Sequence, residues 1–207
     1  QEYIIETHLQ QRPAILLNQL RARNLYPSVA APVYSQTGNS LTIENPNGAG
    51  SIFYTTDGSD PRDPSASTYS NAVTLTASAT YKSRVLKNGV WSALQSADII
   101  TGTPANATNL VISELYYNEP GSAEENEFVE LTNISNNEID LSNLTFSTGL
   151  TYTFPLNTTL SPRGRLTIGT NDYEGSLDNA GENITLTDAS GTIIESFNFD
   201  DTAPWPQ

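Results

Sequence analysis

The sequence predicts a mainly β protein, two β-sandwiches in tandem behind a short N-terminal helical segment. Three observations carry that expectation. Apolar residues recur with a helical period only before Asn24. From about Ser28 onward, short runs of Val, Ile, Thr and Tyr alternate with clusters of Gly, Pro, Asn and Asp, the punctuation of stacked sheets. Between them Thr101-Gly-Thr-Pro-Ala-Asn-Ala-Thr108 has almost no apolar content and reads as a linker. The expected divisions are a helical segment over 1–27, a first sandwich over 28–103 and a second over 104–207.

In the helical segment Ile4, Ile5 and Leu9 form one short apolar face, and Ile15, Leu16, Leu17 and Leu20 form another. Pro13 lies between them, so a kink or a new helix is expected there. Pro27 pushes Tyr26 out of helical geometry and ends the segment. The strands expected next are Val33–Ser35, Leu41–Glu44, Ser51–Thr56, Ala72–Thr76, Thr80–Leu86 and Trp91–Ile100. Lys87-Asn88-Gly89 is a hairpin turn whose last two residues accept positive φ. Along Thr80–Leu86, Tyr81, Ser83 and Val85 share one face, with Lys82 and Arg84 on the other.

The second half offers Leu110–Tyr117, Glu127–Asn133, Ile139–Phe146, Thr151–Phe154, Arg165–Gly169, Asn183–Thr187 and Thr192–Phe199. Seven strands in roughly 90 residues is the count of an immunoglobulin-like sandwich. The chain has no Cys, so the likeness is architectural and lacks the usual disulfide.

Composition narrows function. The net charge is -14 and the pI about 4.2, with nine Lys and Arg scattered except at Arg21 and Arg23. Such a surface repels phosphate backbones and argues against nucleic acid as a partner. Without Cys, thiolate zinc sites and thiol nucleophiles are excluded. No apolar run approaches the ~20 residues of a membrane span. The chain starts at Gln1 without an initiator Met or signal peptide, which suggests a processed chain or part of a longer one. Abundant Asn, Ser and Thr with only 15% charged residues fit an exported protein.

Two stretches resemble known modules. Ile52-Phe-Tyr-Thr-Thr-Asp-Gly-Ser-Asp-Pro61, Tyr69-Ser70, Tyr81–Leu86 and Asn88-Gly-Val-Trp-Ser92 together resemble the small, fibronectin type III-like domain at the C-terminus of chitobiases and hexosaminidases, over about residues 32–100. Leu110-Val-Ile-Ser-Glu-Leu-Tyr-Tyr-Asn118, Glu127-Phe-Val-Glu-Leu-Thr-Asn133, Ile139-Asp-Leu-Ser142, Leu160-Ser-Pro162, Asn179-Ala-Gly-Glu-Asn-Ile-Thr-Leu186 and Pro204-Trp-Pro206 resemble the lamin-tail domain, an Ig-like module of nuclear lamins and many bacterial secreted proteins. Arg163-Gly164-Arg165 departs from the bare Pro-Gly turn usual there. Leu9-Gln-Gln-Arg12, Gln19-Leu-Arg21 and Leu25-Tyr-Pro27 are similar to the end of a CotH kinase-like domain. These resemblances imply a non-catalytic accessory part of a bacterial exported protein, located outside the cell, at its surface or in the periplasm, with a protein or envelope partner met through a strand edge or an aromatic patch.

The residues offer few chemical sites. Asp57, Asp60 and Asp63 could give oxygens to Ca²⁺, but their three-residue spacing departs from the alternating ligands of an EF-hand. The same residues also make a corner: Asp57 caps backbone N–H groups, Gly58 supplies positive φ and Pro61 presets the next turn. The corner is the expectation. A second acidic run, Glu119, Glu124, Glu125, Glu127 and Glu130, reads as a solvated face, with Glu127 and Glu130 on opposite sides of a strand. The lone His8 leaves no Ser–His–Asp set within one element. No catalytic, cofactor or metal residue is therefore assigned. Carbohydrate binding is the rival function, with Tyr34, Tyr69, Trp91, Tyr116, Tyr117 and Trp205 as the aromatics on which a sugar could stack; of adjacent Tyr116 and Tyr117, one must face out. Trp91 is expected to cover a core end and Trp205 to plug the C-terminus.

Overall fold

A computed structural model describes residues 10–118 and 126–202. Ile4, Ile5, His8 and Leu9, Glu119, Glu124 and Glu125, and Pro204-Trp205-Pro206 lie outside the described residues. The chain forms two compact units: residues up to Leu75 with Ala79–Ile99, and Thr76–Ser78 with Ile100 onward.

The first unit begins with α1 (Gln10–Ala22). Pro13 lies inside the helix, near the start of its described span, and does not end it. The helix stops because Asn24 takes φ 56°, the N–H of Leu25 reaches the carbonyl of Leu20 (2.9 Å) and that of Asn24 reaches Arg21 (3.0 Å). This is a Schellman ending with Asn in the place glycine usually fills. Ile15 and Leu16, from the apolar face, remain 46% and 55% exposed.

Eight strands follow: β1 (Val33–Thr37), β2 (Ser40–Glu44), β3 (Ser51–Thr55), β4 (Ser67–Thr68), β5 (Val73–Thr74), β6 (Ala79–Lys87), β7 (Val90–Trp91) and β8 (Gln95–Ile99). They form an antiparallel sheet β1-β2-β5 and a second sheet β4-β3-β6-β7, with β8 also on β6. Leu41 and Ile43 from one sheet share a core with Ile52, Tyr81, Val85 and Ile99 from the other, closed by Val29 and Leu75. On β6, Tyr81, Ser83 and Val85 point inward, as alternation predicts. The expected strand Trp91–Ile100 is broken. Ser92 turns its Oγ to accept the N–H of Val85 (2.9 Å) and donates to the carbonyl of Ala93 (2.7 Å), so a side chain replaces a rung of the ladder.

The second unit holds β9 (Leu110–Tyr116), β10 (Phe128–Asn133), β11 (Ile139–Asp140), β12 (Thr145–Thr148), β13 (Tyr152–Thr153), β14 (Thr159–Leu160), β15 (Arg165–Gly169), β16 (Asn183–Thr187) and β17 (Ile193–Asn198). Sheet β15-β10-β9 and sheet β13-β12-β16-β17 enclose a core containing Leu110, Val129, Leu131, Phe146, Phe154, Ile184, Leu186 and Phe199, with β11 and β14 paired separately. The expected run Ile139–Phe146 also divides, because Asp140 accepts the N–H of Ser142 (2.7 Å) and Asn143 turns the chain at φ 60°. At the unusual turn, Arg163 takes φ 58° and its guanidinium reaches Asn136 Oδ1 (3.1 Å).

The residues of the expected linker cluster with this unit and are bonded to it. Ala105 is buried in the core, its N–H bonds the carbonyl of Asp140 (3.0 Å), and the N–H of Asp140 bonds Thr103 (2.8 Å). A small side chain suffices there because the backbone supplies the hydrogen bonds. Among the described residues no helix is long and apolar enough to cross a membrane.

Candidate functional site

The acidic corner follows β3. Thr55 Oγ1 donates to the carbonyl of Ser59 (2.7 Å), and Asp57 Oδ1 accepts both the N–H and the hydroxyl of Ser59 (3.0 and 2.6 Å) around Gly58 at φ 84°. Asp60 does different work. Its carboxylate takes two bonds from Arg84 of β6 (3.0 and 2.9 Å), two from the Arg62 guanidinium (3.1 and 3.0 Å) and one from the Arg62 N–H (3.0 Å). Arg84 also donates to the carbonyl of Ser92 (2.7 Å), and the Lys82 ammonium reaches the carbonyl of Gly58. Asp63 accepts the hydroxyl of Ser65 (3.2 Å).

The electrostatics follow from these bonds. The Arg84 guanidinium, aided by Arg62, holds the Asp60 carboxyl far below the usual carboxylate range. The hydroxyl and N–H of Ser59 lower that of Asp57. Each carboxylate is therefore bonded within its own turn, and Asp60 ties the loop to the neighbouring strand. Among the described residues no three His, Cys, Asp or Glu side chains group as a metal site.

The second acidic run differs from the expected solvated face at one residue. Glu127 is not part of a solvated face: it is 1% exposed, and its Oε2 accepts the Tyr173 hydroxyl (3.2 Å) and the N–H of Leu177 (3.1 Å). Glu130 does lie on the opposite side, accepting Ser113 Oγ (2.7 Å) and Arg165 Nη1 (3.1 Å). The signal for Glu127 was present in the sequence: the two-residue period that buries Val129 and Leu131 places Glu127 with them.

Of the aromatics, Tyr117 is buried, packs on Phe199 with ring centroids 4.5 Å apart, and donates its hydroxyl to the carbonyl of Asp200 (2.7 Å). Burial raises its hydroxyl pKa. Tyr116 is the outward member of the pair and stacks on Phe128 at 5.6 Å. Tyr34 and Tyr69 are half-buried, the latter edge-on to Tyr54. Trp91 is half-buried against the edge of Phe53 at 5.3 Å. Beside it opens a groove of about 410 Å³ lined by Arg21, Leu25, Tyr26, Ser28, Val90 and Trp91. Arg21 donates Nε–H to the carbonyl of Pro27 (3.3 Å) while its guanidinium lies 5.5 Å from the centre of the Tyr26 ring. Leu25 and Val90 on the rim are 68% and 45% exposed.

Residues 103–201 match the family model of the Lamin Tail Domain, and residues 29–95 match that of the Chitobiase/beta-hexosaminidase C-terminal domain. No match is found among curated proteins. Both matched regions are Ig-like β modules of the kind found as accessory domains.

Proposed function

We propose that the chain is a non-catalytic spacer and interaction module of a larger exported or cell-surface bacterial protein, touching a protein or envelope component. The observation that supports this reading most is the uncovered apolar surface of the first unit. Ile15 and Leu16 on α1, Leu25 after it and Val90 on β7 are all substantially exposed, while the sandwich behind them has a filled core. On α1 Leu17 and Leu20 are half-buried, but Ile15 and Leu16 stay in water, and uncovered apolar surface of this kind fits contact with another body. The natural candidate is an upstream domain, of which α1 is the last element, in keeping with the CotH-like residues Leu9–Arg12 and Gln19–Arg21.

The double substitution Ile15→Asp with Leu16→Asp tests it. Since both side chains are exposed, the melting temperature of this chain stays unchanged, while binding of the upstream domain added in trans is lost. Destabilisation of the chain itself, or undiminished binding, contradicts the proposal.

A second reading, carbohydrate binding, draws on the Trp91 groove, where an aromatic pair and a guanidinium stand beside each other. Retention on a polysaccharide affinity gel that Arg21→Ala weakens would favour it. Tyr117 is buried and offers a sugar no stacking face.

A further inference from the structure

We propose that Asn88, at the tip of the β6–β7 hairpin, is a site of spontaneous deamidation, and that the chain's other Asn-Gly step, Asn47-Gly48, is protected from it by hydrogen bonds. The two dipeptides are chemically identical, so sequence alone cannot separate them. In the reaction the backbone nitrogen of the glycine attacks the Asn side-chain carbonyl carbon. A C–N bond forms, the carboxamide C–N bond breaks, and ammonia leaves with the proton of the attacking amide. The resulting five-membered succinimide is opened by water at either carbonyl, giving Asp or isoaspartate. Glycine favours the first step because no side chain shields its nitrogen.

Asn88 meets the requirements. It is exposed, and its carboxamide makes no hydrogen bond among the described residues. Gly89 and Gly48 alike have nothing within 4 Å of where a side chain would stand, so the glycines do not separate the two steps and the carboxamide bonds do. Asn47 is held at both ends of its carboxamide. Its Oδ1 accepts the N–H of Ala30 (2.8 Å), and its Nδ2 donates to the carbonyl of Ala30 (2.9 Å) and to Asn45 Oδ1 (2.9 Å). The Lys87 ammonium further holds the Asn47 carbonyl (2.9 Å). Rotating that carboxamide toward Gly48 first breaks three bonds, which slows the reaction by about a hundredfold at ordinary net hydrogen-bond strengths.

The product matters locally. Asn88 and Gly89 form a two-residue turn with φ 52° and 78° at its centre, joining the pairs Lys87↔Val90 and Leu86↔Trp91. Isoaspartate routes the main chain through the former side chain and lengthens it by a methylene. A two-residue turn has no room for that, so the pairing loosens and Trp91 loses its seat on Phe53. Val90 and Trp91 border the groove described above, and an effect on binding there rests on the proposed function. The deamidation itself does not.

The test is peptide mapping by mass spectrometry after incubating the folded protein in warm, mildly alkaline buffer, repeated in denaturant. The folded protein should convert at Asn88 to a mixture of Asp and isoaspartate about a hundredfold faster than at Asn47. In denaturant the two rates should come together. Equal rates in the folded protein, or an Asn47 that stays slow when unfolded, overturn the proposal.

Discussion

The two units solve the same problem with different resources. The second gathers nineteen buried apolar residues among those described, including Tyr117, Phe146, Phe154 and Phe199, whereas the first gathers eight, with Tyr81 the one aromatic. Their polar devices differ accordingly. The second buries Glu127 under Tyr173 and Leu177, and buries Asn133, whose amide donates to three carbonyls. The first relies on a half-exposed bracket, Asp60 between Arg84 and Arg62. Stabilisation by burial scales with apolar area removed from water. A unit with less of it leans more on charged contacts, which answer to pH and salt.

The largest expected effect lies in the large core. Phe146→Ala removes a fully buried ring and should cost about 4 kcal/mol in chemical denaturation. A loss below about 1 kcal/mol would mean the second unit is loosely packed and the contrast false. Next comes Glu127→Ala, which removes the buried acceptor of the Tyr173 hydroxyl and the Leu177 N–H and should cost about 3 kcal/mol. A neutral result would return Glu127 to the surface.

Arg84→Ala should cost the first unit about 2 kcal/mol, since it removes charge-assisted bonds to Asp60 and one to Ser92. It also carries a pH signature. The folded Asp60 carboxyl titrates below its unfolded value of about 4, so its contribution is complete above that pH and is lost as pH falls through the unfolded value toward the folded one. Arg84→Ala should therefore flatten the acid limb of the stability curve. An acid limb as steep as that of the parent would remove Asp60 from the account. The smallest effect concerns calcium: with Asp60 occupied by two guanidiniums, the melting temperature should not move when calcium is added, and a clear rise would restore the cation reading.

Much of this was legible in the sequence, and the exceptions are instructive. Alternation placed Tyr81, Ser83 and Val85 inward because β6 is regular. It could not choose between Tyr116 and Tyr117, because β9 carries an irregularity. Glu114 faces Glu130 while Ile112 faces Leu131, leaving Ser113 as an extra residue that resets the parity. Counted from Leu110 without that bulge, Tyr116 would point inward; with it, Tyr117 does. Glu127 was missed because its residue type outweighed its period. At Thr101–Thr108 low apolar content says nothing of where backbone hydrogen bonds go; those of Thr103 and Ala105 go to Asp140. At the acidic corner, Asp57 and Gly58 follow from turn chemistry, but the reach of Arg84 depends on the pairing of β3 with β6, which one strand alone does not specify.

The most direct measurement is amide hydrogen exchange in this chain, alone and joined to an upstream domain of the kind proposed above, as a longer protein. The account predicts that Ile15, Leu16, Leu25 and Val90 become protected in the longer protein while the cores around Val85 and Phe146 exchange as before. Equal exchange at those four residues in both would contradict it.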